Sequence, residues 1–261
     1  MLAADPAIPV TDQPVDSFDG LQADVLRELL GVPVLHLFAT VGSTLDVAHG
    51  FAQEGAPHAT LVLADAQTRG RGREGKRWAS APGSGLWLTL IARPASAADI
   101  RVLTVRLGLA AAAALDLFSD MPIALKWPND LYLGGKKLAG VLVEARWRGS
   151  VPEWLAIGVG LNIVTPPDVP NAAGLLPGAR RLDALRRVVP AIVGAVERRG
   201  GALGTDELDA WAARDFAVGR RATAPANGMV RGINRHAELI IATTTGEVAF
   251  SSGSLVLAED T

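Results

Sequence analysis

The apolar run Thr60–Leu61–Val62–Leu63–Ala64 reads as a buried strand, and what leaves its end limits the folds open to this chain. The stretch Ala66–Gln67–Thr68–Arg69–Gly70–Arg71–Gly72–Arg73–Glu74–Gly75–Lys76–Arg77–Trp78 follows, with three glycines and five cations. Gly70, Gly72 and Gly75 satisfy G-x-G-x-x-G, and Gly70, Gly75 and Lys76 satisfy most of the P-loop pattern. Both patterns need the loop to open a helix, whose N-terminus then holds the phosphate. Here Trp78-Ala79-Ser80-Ala81-Pro82-Gly83-Ser84-Gly85 follows, too rich in glycine and proline for a helix, and Arg77 stands where a P-loop has Ser or Thr. A second strand, Gly85–Arg93, comes next. The unit is strand–loop–strand.

Such a loop suits anions. Glycine tolerates φ > 0 and leaves no Cβ in the way, successive amides can form a concavity, and arginine forks match carboxylate or phosphate. From the loop alone, a solvated basic turn or an arginine–glycine RNA patch is as good a reading. Composition weighs against the latter: the 261 residues carry a net charge of −2, and aromatic residues are only 5%. At 49% hydrophobic residues the chain can bury a sizeable core in one large domain or two unequal ones. With no cysteine, disulfides, thiolate catalysis and Cys-ligated zinc are excluded. Met1–Pro6 lacks the features of a signal peptide, and the alanine-rich run Leu107–Leu115 is too short to span a bilayer, so a soluble, cytoplasmic protein with no membrane partner is expected.

In chain order, residues 1–18 should be loosely ordered and Leu21–Leu30 a short helix stopped by Gly31. Val34–Phe38 is a strand, and Ser43 an N-cap for a helix running to about Glu54. That cap is the plainest role for Ser43 and Thr44; a strand–turn–helix corner offering hydroxyls and amides to a small polar group is the other. Asp99 opens a long helix to about Phe118. Leu125-Lys126-Trp127-Pro128-Asn129-Asp130-Leu131-Tyr132-Leu133 is a strand entering a turn, where a lysine, an amide and a carboxylate fall within five residues and could hold phosphate, a base or ribose edge, and Mg²⁺. Gly134-Gly135 turns the chain into Lys136–Glu144. Trp154–Val164 is a strand whose glycines, 158 and 160, suggest close approach of a ligand or another backbone. A loop at 168–180 and helices at about Leu182–Arg199 and Asp206–Asp215 lead to short strands over Val218–Leu257, a small β-barrel. None of His36, His49, His58 and His236 sits beside a second ligand type at metal spacing, and no Ser/His/Asp triad is evident, so the available chemistry is cationic.

Gly70–Trp78, Lys126-Trp127-Pro128-Asn129-Asp130, Lys137–Glu144 and Gly158-Val159-Gly160-Leu161-Asn162, in this order and spacing, closely resemble the biotin protein ligase family over about Val34 to Asn162. The resemblance implies an α+β fold of the class II synthetase-like type, a mixed, largely antiparallel sheet flanked by helices with a small C-terminal SH3-like β-barrel. It implies an amino-terminal segment and short helix at 1–31, a catalytic biotin- and ATP-binding domain at 32–215 and the terminal β-domain at 216–261. The family's DNA-binding winged helix has no counterpart in the sequence, so a ligase without DNA as partner is expected. The implied reaction joins biotin to AMP from ATP with Mg²⁺ on the phosphates, then passes biotin to a lysine of a biotin carboxyl carrier protein.

Residue by residue, the resemblance puts Ser43, Thr44 and Gln67 at biotin's ureido end, with Arg71, Gly72, Arg73, Lys137 and Gly140 also around biotin. Arg71 and Arg73 belong to a loop that closes over biotin and its adenylate, and they share the catalytic role with Lys137, at the activated carboxyl and α-phosphate. Arg73, Trp78, Lys126, Asn129, Asp130 and Asn162 match positions around the adenylate, with Asp130 as a magnesium ligand. The loop is expected to be mobile without ligand and ordered with it. Leu45 replaces the family's usual Asn, Arg69 a small residue, and Glu74 adds a carboxylate to the loop that could pair with Arg71 or Lys76. Lipoate or octanoate attachment, on a similar fold, is the nearest rival.

Overall fold

Alternation along the central strands decides how the layers stack. In β5 (Thr60–Gln67) Leu61 and Leu63 join one apolar cluster while Val62 and Ala64 join another, so each face of the sheet needs its own cover. Every residue of β6 (Gly85–Ala92) is buried, the mark of a strand covered on both sides. The protein is described here by a computed structural model over residues 12–94 and 96–258.

The remaining strands are β1 (Gln13–Pro14), β2 (Ser17–Phe18), β3 (Leu21–Gln22), β4 (Leu35–Val41), β7 (Ala124–Lys126), β8 (Asp130–Leu133), β9 (Lys136–Arg148), β10 (Val151–Asn162), β11 (Arg221–Ala224), β12 (Gly228–Ile233), β13 (Leu239–Thr243), β14 (Gly246–Phe250) and β15 (Val256–Leu257). The helices are α1 (Ala23–Leu30), α2 (Thr44–Gln53), α3 (Ala97–Ile100), α4 (Leu103–Leu115), α5 (Arg181–Glu197) and α6 (Thr205–Ala212). The main sheet runs β1-β4-β5-β6-β10-β9-β8-β7. Among the described strands only β4 and β5 pair in parallel, so the sheet is mixed and largely antiparallel, as expected. α2 covers one face, and α4 and α5 pack together on the other. A five-stranded antiparallel sheet, β14-β13-β12-β11-β15, stands where the sequence anticipates the small barrel. Its Val230, Leu239 and Ile241 join the larger apolar cluster, and the Trp127 indole donates to the Ala237 carbonyl at 2.9 Å.

Three expectations change. Of the segment expected to be loose, residues 1–11 lie outside the described residues, but Gln13 and Pro14 pair with Thr40 and Phe38, and Ser17–Phe18 with Leu21–Gln22. Arg181 ties this segment down by pairing with both Asp19 and Asp65 while its guanidinium lies over the Phe18 ring. That β2–β3 pairing also takes Leu21 and Gln22 out of the first helix, which begins at Ala23 and ends, as anticipated, on Gly31 with φ +67°. The helix expected from Asp99 to Phe118 is broken between α3 and α4: Asp99 accepts from the Gly200 amide at 2.9 Å and so holds the short first helix to the 199–200 turn.

Arg106 on α4 is buried and donates to Glu207 at 2.8 Å and to the carbonyls of Gly200 and Ala202 at 2.8 and 3.1 Å. Removing one partner would strand a buried carboxylate. Arg106→Leu should therefore cost about 3–5 kcal/mol of unfolding free energy in a urea titration. A loss under about 1 kcal/mol would show that the pair is dispensable.

Candidate active site

Ser43 precedes α2 in extended geometry, yet its hydroxyl caps nothing: the helix start has no side-chain cap hydrogen bond. Its Oγ is buried at 1% exposure and has no partner among the described residues. The capping role read from the sequence therefore gives way to the corner reading. The neighbouring Thr44 is locked by Gln67 from β5, whose Oε1 accepts from the Thr44 amide at 2.9 Å and hydroxyl at 3.1 Å. Thr89 of β6 donates to Thr44 Oγ1 at 2.9 Å, and Gln67 Nε2 donates to Ser80 Oγ at 2.8 Å. A chain of buried polar groups thus fixes the corner and leaves one hydroxyl unpaired.

The basic loop is a small hairpin. Trp78 N donates to Gly70 O at 2.9 Å, Gly72 N to Lys76 O at 2.7 Å and Lys76 N to Arg73 O at 3.0 Å. These amides serve the hairpin itself, so the concavity of free amides read from the sequence is reduced, and anion recognition falls to the side chains. Gly70 is required by packing: a Cβ there would lie 2.5 Å from Trp78 O. At the tip, Glu74 and Gly75 have φ of +55° and +73°. Glu74 does not pair with Arg71 or Lys76 as anticipated; its Oε1 accepts from Ser254 Oγ at 2.7 Å. Arg73 donates to Gly253 O at 2.9 Å and Asn129 Oδ1 at 3.4 Å.

Trp78 leaves the hairpin and lies flat on the sheet. Gly140 of β9 and Gly160 of β10 are directly paired, and a Cβ on them would sit 3.5 Å and 2.5 Å from the indole. Gly158, in turn, is approached by Leu45, with a prospective Cβ contact of 3.1 Å. The strand glycines therefore admit side chains of the same chain, and Leu45 fills a packing role. Lys137 Nζ stands 5.4 Å from the Trp78 ring and 2.7 Å from Asp130 Oδ1. Asn129 is clamped to β9 in both directions, Nδ2 to Val141 O and its own carbonyl from Val141 N, each 2.9 Å.

A cleft of about 840 Å³ lies under the hairpin, lined by Arg69–Arg77, Asp46, Leu142 and Glu144. A smaller one of about 410 Å³ contains Ser43, Gly42 and Phe51 and shares Asp46 and Arg69 with the first. Of the expected site residues, Thr44 and Gln67 form the corner lock, Arg73 meets Asn129, Lys137 meets Asp130 and Trp78 with Gly140 beneath, and Ser43, Arg71, Gly72 and Arg73 line the two clefts. Lys126 is buried in β7, with Nζ 5.5 Å from the Tyr132 ring of the paired strand β8. Asn162 is buried with its amide donating to Ala173 O at 3.1 Å.

Asp46, His49 and Glu144 were not singled out by sequence. Arg71 Nη2 lies 2.9 Å from Asp46 and 3.1 Å from Glu144. Trp154 donates its indole proton to His49 Nδ1 at 3.0 Å, which leaves the ring proton on Nε2, facing Glu144 Oε2 at 2.9 Å. The His49 hydrogen bond and the charge of Arg71 hold the Glu144 carboxyl below its ordinary range despite partial burial. Glu144 ends a quoted motif, but nothing in the order of residues shows that α2 and β9 flank the same arginine.

Residues 37–162 match the biotin/lipoate A/B protein ligase family. Over 86% of its length the chain superposes on 98% of a biotin protein ligase from Aquifex aeolicus solved with biotin and ATP, at a TM-score of 0.73 and 26% identity. The fold is that of the biotin protein ligases, and residues 37–162 carry the biotin/lipoate A/B ligase sequence pattern. Among curated relatives of the family, the chain is 34% identical over 154 residues to the bifunctional ligase/repressor BirA of Bacillus subtilis, covering 57% of this chain and 45% of that one. It is 33% identical over 153 residues to the biotin–[acetyl-CoA-carboxylase] ligase of Mycobacterium tuberculosis, covering 54% of each. The chain thus spans about half the length of these relatives.

The Gly140–Gly160 floor gives a direct test. Gly160→Ala should expel the Trp78 indole, moving its Nε1–H signal in a ¹⁵N NMR spectrum while those of Trp154 and Trp211 hold their positions. An unmoved Trp78 signal would contradict the packing described.

Proposed function

We propose that this protein joins biotin to AMP and then transfers the biotinyl group to a lysine of a carrier protein. The observation that carries the reading is the buried, unpartnered Ser43 Oγ beside the Thr44–Gln67 lock, one end of a site whose other end is a cationic flap. An unsatisfied buried hydroxyl costs free energy until a ligand supplies its partner. The first end suits a neutral, hydrogen-bonding ring such as biotin's ureido group; the second suits carboxylate and phosphate. Relatives named as biotin–[acetyl-CoA-carboxylase] ligases and the structural likeness to a ligase solved with biotin and ATP support it.

In the first step a biotin carboxylate oxygen attacks the α-phosphorus of ATP, and the bond to the bridging oxygen of pyrophosphate breaks. Two anions must approach, so cations placed where charge develops lower the barrier. Lys137, next to the Trp78 seat, is assigned this role, with Arg71 and Arg73 supplied by the flap. In the second step a carrier lysine amine attacks the mixed anhydride, an amide bond forms and AMP leaves. Because the anhydride hydrolyses readily, the flap and the Trp78 indole serve to exclude water until the amine arrives.

Magnesium fits as the counter-ion brought by ATP. Asp130 is already engaged by Lys137, and no group of three or more His, Cys, Asp or Glu among the described residues could hold a metal ion. Those residues alone do not make a resident site, and Asp130, the carboxylate beside Lys137, would meet the ion only as part of a bound ATP–magnesium unit. The relatives' names give acetyl-CoA carboxylase as the protein acted on, and the partner proposed here is the lysine-bearing biotin carrier of such a carboxylase.

Biotin-stimulated exchange of pyrophosphate into ATP tests the reading. Lys137→Ala should lower that exchange by on the order of 10²–10³-fold with the melting temperature little changed. Exchange stimulated by lipoate and not by biotin would move the protein to the lipoate branch, and near-normal exchange in Lys137→Ala would remove that lysine from the chemistry.

A further inference from the structure

An anion-binding cleft that carries carboxylates on its walls poses a physical question. Asp46 and Glu144 both line the larger cleft, and as like charges beside the expected ligand they oppose its entry. Neither belongs to a metal-holding group among the described residues. Both converge instead on one atom, Arg71 Nη2, at 2.9 and 3.1 Å. They come from opposite walls, Asp46 from the first turn of α2 and Glu144 from β9.

The two holds differ in firmness. Glu144 is fixed by His49, whose tautomer Trp154 sets from behind, and Trp154 is itself buried. Asp46 has a side chain 56% exposed and, among the hydrogen bonds and ion pairs of the described residues, meets only Arg71. Glu144 therefore sets where the guanidinium rests, and Asp46 adds an adjustable pull at the mouth of the cleft.

We propose that Asp46 and Glu144 are positioning residues that act through Arg71, holding its guanidinium as an internal stand-in for the ligand's anionic group. This rests on the functional reading above and deepens it: the flap releases Arg71 only to a competing carboxylate or phosphate. The pair thereby makes the site selective for the charged ligand over a neutral analogue of the same shape. A neutral compound cannot draw the arginine away, and leaves the two carboxylates satisfied. Since the Asp46 contact is solvent-screened, its worth as a competitor corresponds to a modest factor in affinity.

The test is calorimetric titration of the full chain with biotin and with its uncharged alcohol, biotinol, at low salt. In Asp46→Asn, biotin should bind roughly two- to fivefold more tightly, from the range measured for exposed pairs. Biotinol affinity should not change, and Asp46→Glu should return biotin affinity towards the wild-type value. A merely structural role for Asp46 would move both compounds together. Equal shifts for the two, or a biotin affinity unchanged or weakened in Asp46→Asn, would overturn the inference while leaving the functional reading in place. Wild-type protein that binds neither compound would overturn both.

Discussion

One absent methyl group shapes this site. Gly140 and Gly160 face each other across β9 and β10, and at Gly160, where a Cβ would lie 2.5 Å from the indole, only its lack lets Trp78 lie on the sheet. That seat fixes where the basic hairpin ends, because Trp78 N closes the hairpin onto Gly70 O. It also brings the indole to within 5.4 Å of Lys137 Nζ. A side chain at Gly160 would lift the ring, and with it one leg of the hairpin. The sheet thus acts as a flat floor on which the hairpin is registered, at the expense of strand propensity at Gly160.

Charge gives the second layer. Two of the hairpin's cations are held locally: Arg71 is ion-paired with Asp46 and Glu144, and Arg73 is hydrogen-bonded to the carbonyl of Gly253 and the amide oxygen of Asn129. Lys137 is paired with Asp130. An arrangement of this kind keeps guanidinium and ammonium groups near their working positions without leaving a dense positive patch to repel itself. It also means that an incoming anion replaces protein partners and does not simply add to free charge. Glu74, which sequence suggested as an internal partner of the loop, reaches outward to Ser254 and ties the hairpin tip to the terminal sheet.

Much of the fold was legible because it depends on short-range rules. Alternation marked β5 and β6, Gly31 closed α1, and Gly134-Gly135 turned β8 into β9. What was illegible depends on contacts between distant segments. The order of residues around Asp99 supports one long helix, and only the Gly200 amide explains why it breaks. Ser43 looks like a cap, and only the absence of a partner for its buried Oγ shows otherwise. His49 and Glu144 lie 95 residues apart, and sequence has no means of placing them on either side of a hydrogen bond. The four quoted motifs were informative because glycine and lysine positions within them are fixed by backbone approach and charge, which tolerate few substitutes.

The central claim is that cations and a flap converge on one pocket and close over an adenylate. Amide hydrogen exchange over Gly70–Trp78, with and without biotinyl-5′-AMP, measures that closure most directly. The account predicts markedly slower exchange across the hairpin when the adenylate is bound, with the β-strands unchanged; equal protection in the two states would contradict it.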